Sequence, residues 1–247
     1  MTATAIGWIA PDWPLPGGVK VVSTLRFGGA SDGPYASLNL AAHVGDRPAA
    51  VALNRRLLRE AVHLPAEPLW LAQVHGIEVV RHEAAATGAR GDASVAFAPG
   101  RVCAVMTADC LPVVFADRGG TRVGVSHAGW RGLVGGVLQA TMAALEVPAS
   151  RLYAWLGPAI GPEAFEVGPE VREAYRRGVP GSEACFSRNE RGHYRADLYR
   201  LATLVLEQAG VAGVHGGGWC THREAERFFS FRRDGVTGRM ATLAWLA

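Results

Sequence analysis

Two reactive stretches, Thr107-Ala108-Asp109-Cys110 and Ser126-His127-Ala128-Gly129-Trp130-Arg131-Gly132, each end an apolar run in this chain. The first run is Val102-Cys103-Ala104-Val105-Met106 and the second is Arg122-Val123-Gly124-Val125. Between them lie a third run, Val113-Val114-Phe115-Ala116, and a turn at Asp117-Arg118-Gly119-Gly120. Short apolar runs bounded by turn signals read as buried strands. Polar, reactive side chains at strand ends beside glycine are where α/β proteins place their chemistry. The pattern therefore predicts adjacent strands whose ends bring Cys110 and His127 together.

The rest of the 247 residues supplies material for that core, with 49% apolar and 19% charged residues. No apolar run reaches the roughly 18 residues of a membrane span. The N-terminus lacks the basic-then-apolar order of a signal peptide, so the expected address is cytoplasmic, with no membrane partner. Cys103, Cys110, Cys185 and Cys220 are scattered and form no CxxC motif, which argues against disulfides. Cys103 lies inside an apolar run and reads as a core residue, whereas Cys110 stands between Asp109 and Leu111-Pro112 at a turn. Net charge is +3, and Lys20 is the single lysine against many arginines. That skew weakens any lone arginine as a signal, and no basic cluster interleaves with aromatics, so nucleic acid is not an expected partner.

In chain order, residues 1–17 are expected to cross the surface, and residues 19–26 form a strand. Asp46 is the expected N-cap of a helix entered at Pro48, with Val51, Leu57, Leu58 and Ala61 on one face. Residues 69–74 read as a strand delivering His75-Gly76, with residues 77–81 returning as its partner. After Trp130, the positions Val134, Val137, Leu138, Thr141 and Leu145 predict a helix up to Pro148. Gly132, Gly135 and Gly136 cost that helix about 1 kcal/mol each relative to alanine, and close packing is the expected return. Residues 152–156 form a further strand, a short helix runs from Pro169 to Gly178, and Asp197 caps a longer one closed by Gly210. Residues 228–232 and 240–245 are the last expected strands. No linker or repeat divides the chain, which points to one mixed α/β domain over residues 1–247.

Three soft or borderline ligands, His75, Cys110 and His127, thus fall near strand ends. Two imidazoles and a thiolate suit zinc, and three protein ligands with one position open is the catalytic arrangement. Zinc lowers the pKa of a bound water towards about 7. Spacing alone does not establish such a site, because the three are far apart in the chain. A metal-free reading takes Cys110 as nucleophile and His127 as its base, oriented by His75 or Asp92. The N-terminus of the helix after Trp130 favours an anion or thiolate in either scheme. His43, His63, His82, His193, His215 and His222 read as structural.

The stretches Gln73-Val74-His75-Gly76, Thr107-Ala108-Asp109-Cys110-Leu111-Pro112 and His127-Ala128-Gly129-Trp130-Arg131-Gly132 resemble the signature of the YfiH-type family. Further matching stretches are Ser37-Leu38-Asn39-Leu40, Val44-Gly45-Asp46, Phe165-Glu166-Val167-Gly168, Phe228-Phe229-Ser230-Phe231-Arg232-Arg233 and Thr237-Gly238-Arg239-Met240-Ala241. The resemblance covers nearly the whole chain in order. Gly91-Asp92-Ala93 departs from the family's alanine-aspartate-alanine but keeps the aspartate. Members of the family are described as laccase-domain or polyphenol oxidase proteins, as purine nucleoside phosphorylases and as peptidoglycan editing factors. The resemblance implies a four-layer α/β/β/α sandwich and a metal site held by His75, Cys110 and His127.

It also implies phosphorolysis of adenosine, inosine and methylthioadenosine to base and ribose 1-phosphate, with adenosine deaminase activity. Zinc is the expected metal, copper the alternative, and a purine nucleoside and phosphate the expected small-molecule partners. Asp92 or Asp109 is the candidate proton carrier for deamination. Phosphorolysis needs an anion pocket, for which arginine's fixed fork of donors is suited. Arg26 and Arg131 are the candidates, with Asn39 as a further substrate-binding residue; Phe165 and Phe229 read first as core residues and only second as a stacking surface for the purine. Three alternatives stand beside this: a peptidoglycan-precursor hydrolase using Cys110 and His127, a copper polyphenol oxidase, and a non-catalytic binding domain. A structural zinc normally has four protein ligands, against the three counted here.

Overall fold

The computed structural model describes residues 5–14 and 16–247. Two sheets carry the fold. The first contains β1 (Trp8–Ile9), β2 (Val19–Thr24), β5 (Cys103–Thr107) and β13 (Met240–Leu246), in the order β1-β2-β13-β5 with every pairing antiparallel. The second contains β3 (Val79–Arg81), β4 (Ala93–Ala96), β6 (Leu111–Asp117), β7 (Val123–Ala128), β8 (Leu152–Leu156) and β12 (Gly213–Gly216). Its order is β12-β8-β6-β7-β4-β3, with parallel pairs only at the two edges. A small third sheet holds β9 (Glu166–Val167), β10 (Phe186–Arg188) and β11 (Tyr194–Ala196), in the order β10-β11-β9.

The period-2 alternation of strands explains the layering. Val114 and Ala116 of β6 face inward with Val19 and Val21 of β2, Cys103 and Val105 of β5, and Ala244 and Leu246 of β13, so the two large sheets pack face to face. Val113 and Phe115, on the opposite face of β6, meet a helical layer that includes α3 (Val137–Ala144), α4 (Pro169–Gly178) and α5 (Leu198–Gln208). On the far side of the first sheet, Val22, Ala104, Met106, Leu243 and Trp245 pack with Leu58 of α1 (Pro48–Ala61). The result is the expected four-layer α/β/β/α sandwich. Each fully buried aliphatic or aromatic side chain in these layers contributes about 1.5–3 kcal/mol. Among the described residues no helix is long and apolar enough to cross a membrane.

Several local expectations change. Of residues 1–17, residues 1–4 and 15 lie outside the described residues; Trp8–Ile9 joins the first sheet as an edge strand, and Trp13 is buried. Arg47 rather than Asp46 is the N-cap of α1, because the Asp46 carboxylate is engaged by Ser31 Oγ at 2.6 Å and Asn39 Nδ2 at 2.9 Å. Residues 69–74 form no ladder strand; only isolated bridges occur, at Leu69 and Ala72. The Gln73 side chain binds the Met106 backbone instead, donating to its carbonyl at 2.8 Å and accepting from its N–H at 2.7 Å. Residues 79–81 pair with β4 in parallel, not with residues 69–74.

The helix after Trp130 is broken at Gly136, whose φ of 101° is left-handed, into α2 (Trp130–Gly135) and α3. The expected strand over residues 228–232 is a turn leading into α6 (Phe231–Asp234). There Ser230 accepts from the Arg233 N–H, and the Arg232 N–H donates to Asp109, so the backbone is committed away from any ladder. The α5 cap is as expected, with Asp197 accepting from Arg200 N.

Candidate metal centre

β5 and β6 belong to different sheets, so residues 107–110 form the crossing from one layer to the next. Cys110 sits immediately before β6, and His127 is within the last two residues of β7. The register pairs Leu111 with Ala128, which sets Cys110 opposite Gly129. A Cβ at Gly129 would lie 2.9 Å from Cys110 Sγ and 3.1 Å from His75 Cδ2, so glycine is what lets the three side chains converge. Gly132 plays a related part: a Cβ there would meet the Gly76 carbonyl oxygen at 2.9 Å. The glycines of this segment permit close approach, but to the loop carrying His75.

That loop is held by Asp92, which precedes β4. Its carboxylate accepts from the backbone N–H groups of Val74 at 3.1 Å, His75 at 2.9 Å and Gly76 at 2.7 Å. The same carboxylate lies 2.8 Å from His127 Nδ1, and the His127 N–H donates to the Asp92 carbonyl at 2.6 Å. One buried side chain thus fixes two of the three expected ligands. His75 has a left-handed φ of 60°, a conformation a non-glycine residue adopts only when its surroundings impose it. The His75 and His127 rings stand edge to face with centroids 4.7 Å apart, and His75 Nε2 is 3.9 Å from Cys110 Sγ.

The ligand atoms of His75, Cys110 and His127 all lie within 4.8 Å of one another. His127 is buried, Cys110 half-buried and His75 exposed, which gives the cluster one closed and one open side. Among the described residues no other group of three or more His, Cys, Asp or Glu side chains is placed to hold an ion. Electrostatics favour the ligating form of Cys110, whereas His127 is held towards its protonated form, whose proton metal binding would release. Burial would raise the Cys110 thiol, but His127 and then His75 outweigh it and push its pKa down. Burial would lower His127, but Cys110 and Asp92 outweigh it and push its pKa up. Burial likewise opposes the charge on Asp92, yet the His127 contact and the backbone donors hold its pKa at about 2. Two imidazoles and a thiolate are a donor set that fits zinc, and the Asp92–His127 contact is the outer hydrogen bond that orients such ligands.

Asp109 faces elsewhere. Its carboxylate accepts from Thr221 Oγ1 at 2.6 Å and the Arg232 N–H at 2.6 Å, fastening residues 221–232 to the crossing turn. Arg26 spends its guanidinium on the carbonyls of Ala36 and Ala225 and lies over the Phe229 ring. Arg131 is exposed and stacks on Trp130. Asn39 is fully buried and binds Asp46, the Ala41 carbonyl and the Arg239 N–H. Phe165 and Phe229 are core residues.

The open side of the cluster is a cavity of about 220 Å³ whose further lining includes His43, Gln73, Phe231 and Arg239. Sequence reasoning passed over all four as functional candidates. Gln73, Phe231 and Arg239 stood inside matching stretches, which was the available signal, and His43 immediately precedes Val44-Gly45-Asp46.

Residues 20–247 match the family model described as multi-copper polyphenol oxidoreductase laccase. A purine nucleoside phosphorylase from Pseudomonas aeruginosa is 52% identical over 241 residues, covering 97% of this chain and 98% of its own. The Escherichia coli purine nucleoside phosphorylase YfiH is 51% identical, with 96% and 98% covered. The crystal structure of a Neisseria meningitidis protein of the DUF152 family superposes with a TM-score of 0.93 at 51% identity, covering 97% of this chain and 98% of that one. With the sandwich and the His–Cys–His cluster already in place, these matches show that the chain belongs to the YfiH-type family, the multi-copper polyphenol oxidoreductase laccase family of its matching model.

Proposed function

We propose that this chain is a zinc-dependent purine nucleoside phosphorylase that splits adenosine and inosine into base and ribose 1-phosphate, and methylthioadenosine into adenine and 5-methylthioribose 1-phosphate. The observation that carries the reading is the convergence of His75, Cys110 and His127 on a cavity open to solvent. Relatives at 51–52% identity that are named purine nucleoside phosphorylases support it. Zinc held by these three side chains supplies Lewis acidity beside the substrate. Asp92 keeps His127 in one orientation and holds the His75 loop in its left-handed turn. Phe231, 57% exposed at the cavity, offers a face for the purine.

Adenosine deamination belongs to the same reading as a second activity. It has weaker support, because every carboxylate oxygen of Asp92 and Asp109 already accepts from a neighbour and, among the described residues, no carboxylate lines the cavity. The Cys110–His127–Asp92 series also favours one other reading, a peptidoglycan-precursor hydrolase with Cys110 as nucleophile.

The test is to incubate the zinc-loaded protein with adenosine and phosphate and follow products by chromatography. Adenine and ribose 1-phosphate are expected. Absence of both, with one zinc per chain measured, would overturn the reading. Amino-acid release from a UDP-muramoyl peptide would favour the hydrolase.

A further inference from the structure

Every arginine in a cavity wall is either spent on protein acceptors or available to a ligand, and Arg239 is the one that remains available beside the cluster. It immediately precedes β13, the strand that pairs with β5 at the Met240–Thr107 end, next to the crossing turn. Its Nη1 donates to the carbonyls of Thr237 and Gly238, both at 2.9 Å, and its own N–H donates to buried Asn39 at 3.0 Å. The guanidinium carbon stands 5.7 Å from the Phe231 ring centroid. These contacts fix the fork while leaving Nε and Nη2 without an acceptor among the described residues, and no carboxylate lies within ion-pair distance there. Among the described residues the cavity wall contains no acidic side chain. His43 stands in the same wall, and burial, then the charges of Arg239 and Arg55, lower its pKa, so it offers the cavity a neutral hydrogen-bonding ring.

A half-buried guanidinium with two idle donor nitrogens, facing a cavity without a carboxylate among the described residues, is built for an anion with paired oxygens. We infer that Arg239, with His43 beside it, is the binding arm for inorganic phosphate as co-substrate, a role that neither Arg26 nor Arg131 is placed to fill. The inference rests on the phosphorylase reading. In that reaction a phosphate oxygen bonds to ribose C1′ as the C1′–N9 bond breaks. The electron pair stays on N9, which takes the proton that hydrogen phosphate releases, with no change of oxidation state. Arg239 holds two of the three non-attacking oxygens and thereby aims the attacking one.

The experiment compares the zinc-loaded wild type with Arg239→Lys and Arg239→Gln, each checked for zinc content and thermal melting. Initial rates give KM for phosphate and for nucleoside separately, and calorimetry with inorganic phosphate alone gives its Kd. Arg239→Gln is expected to raise both the phosphate KM and the phosphate Kd by about tenfold or more, the cost of a lost charge-assisted pair. The nucleoside KM should move less than about threefold, and Arg239→Lys should recover part of the loss. An unchanged phosphate Kd in folded Arg239→Gln overturns the inference, and if that variant does not fold, an unchanged Kd in Arg239→Lys does so. Wild type that binds phosphate through Arg239 but performs no phosphorolysis would leave the anion site standing and overturn the phosphorylase reading instead.

Discussion

Asp92 and His127 are joined twice, by a 2.8 Å contact between carboxylate and Nδ1 and by a 2.6 Å hydrogen bond from the His127 N–H to the Asp92 carbonyl. Because the same carboxylate also collects the N–H groups of Val74, His75 and Gly76, it sets the position of two ligands at once. Asp92→Asn puts an amide donor among donors. Zinc affinity is expected to fall about 10- to 100-fold. Unfolding free energy should fall by about 1–3 kcal/mol, the cost of leaving a buried donor unmet. Competition with a chromogenic chelator and urea unfolding of the metal-free protein measure the two effects. Unchanged values in both would remove Asp92 from its organising role.

Gly129 makes a narrower prediction. Alanine there drives a methyl to 2.9 Å from Cys110 Sγ and 3.1 Å from His75 Cδ2, closer than ordinary contact, while φ of −63° is one alanine accepts readily. The damage should therefore be confined to ligand geometry. Zinc affinity and turnover are expected to drop, each by about tenfold or more, the scale of a misplaced reacting group. The melting temperature of the metal-free protein should stay within a few degrees. A Gly129→Ala protein that binds zinc as tightly as wild type would contradict the crowding argument.

Cys110 reports on metal directly. Its thiol is pushed down by His127 and His75 once their effect exceeds that of burial, so in chelator-treated protein the thiolate persists below the usual range. An ordinary thiol, with pKa about 8.5, loses more than about tenfold in alkylation rate between pH 9 and pH 7. Cys110 should lose far less, and zinc should suppress its alkylation altogether. Cys103 and Cys185, buried and with pKa values raised by burial, should stay unmodified while the fold is intact. Peptide mapping after iodoacetamide treatment, with and without zinc, separates these outcomes. Equal labelling of Cys110 in both conditions would mean that it is not a ligand.

How far the site could be read from the residues depends on where each constraint resides. The three ligands stand out because each sits beside glycine or at the end of an apolar run, a local signal. The alternation in β6 and β7 likewise foretells which side chains face which layer. Other features are set by partners distant in sequence. Asp46 and Ser230 obey the same capping chemistry, yet Asp46 is drawn off by Ser31 and Asn39 whereas Ser230 does start a short helix. Residues 69–74 have a strand's apolar pattern, but Gln73 satisfies the Met106 backbone with its side chain in place of a ladder. Arg239 was hidden among many arginines, and only the arrangement of the walls reveals which of them has donors to spare.

Phe231 differs from its two neighbours in the Phe-Phe-Ser-Phe stretch. Phe228 and Phe229 are fully buried, and Phe229 in the core lies beneath the Arg26 guanidinium. The step through Ser230 into α6 turns Phe231 out to the cavity beside His75, Cys110 and His127. A large exposed aromatic at a pocket gains little from solvent and much from a flat ligand. Stacking a base on such a ring is worth roughly 1–3 kcal/mol. Phe231→Ala should therefore raise the nucleoside KM about 5- to 150-fold, with zinc content unchanged, and Phe231→Trp should retain most of the affinity. The guanidinium of Arg239 is 5.7 Å from the ring centroid but is fixed chiefly by the carbonyls of Thr237 and Gly238, so the phosphate KM should respond much less. Steady-state kinetics with each substrate varied in turn give the comparison. A variant that loses phosphate affinity while keeping its nucleoside KM would show that the ring serves the arginine rather than the purine.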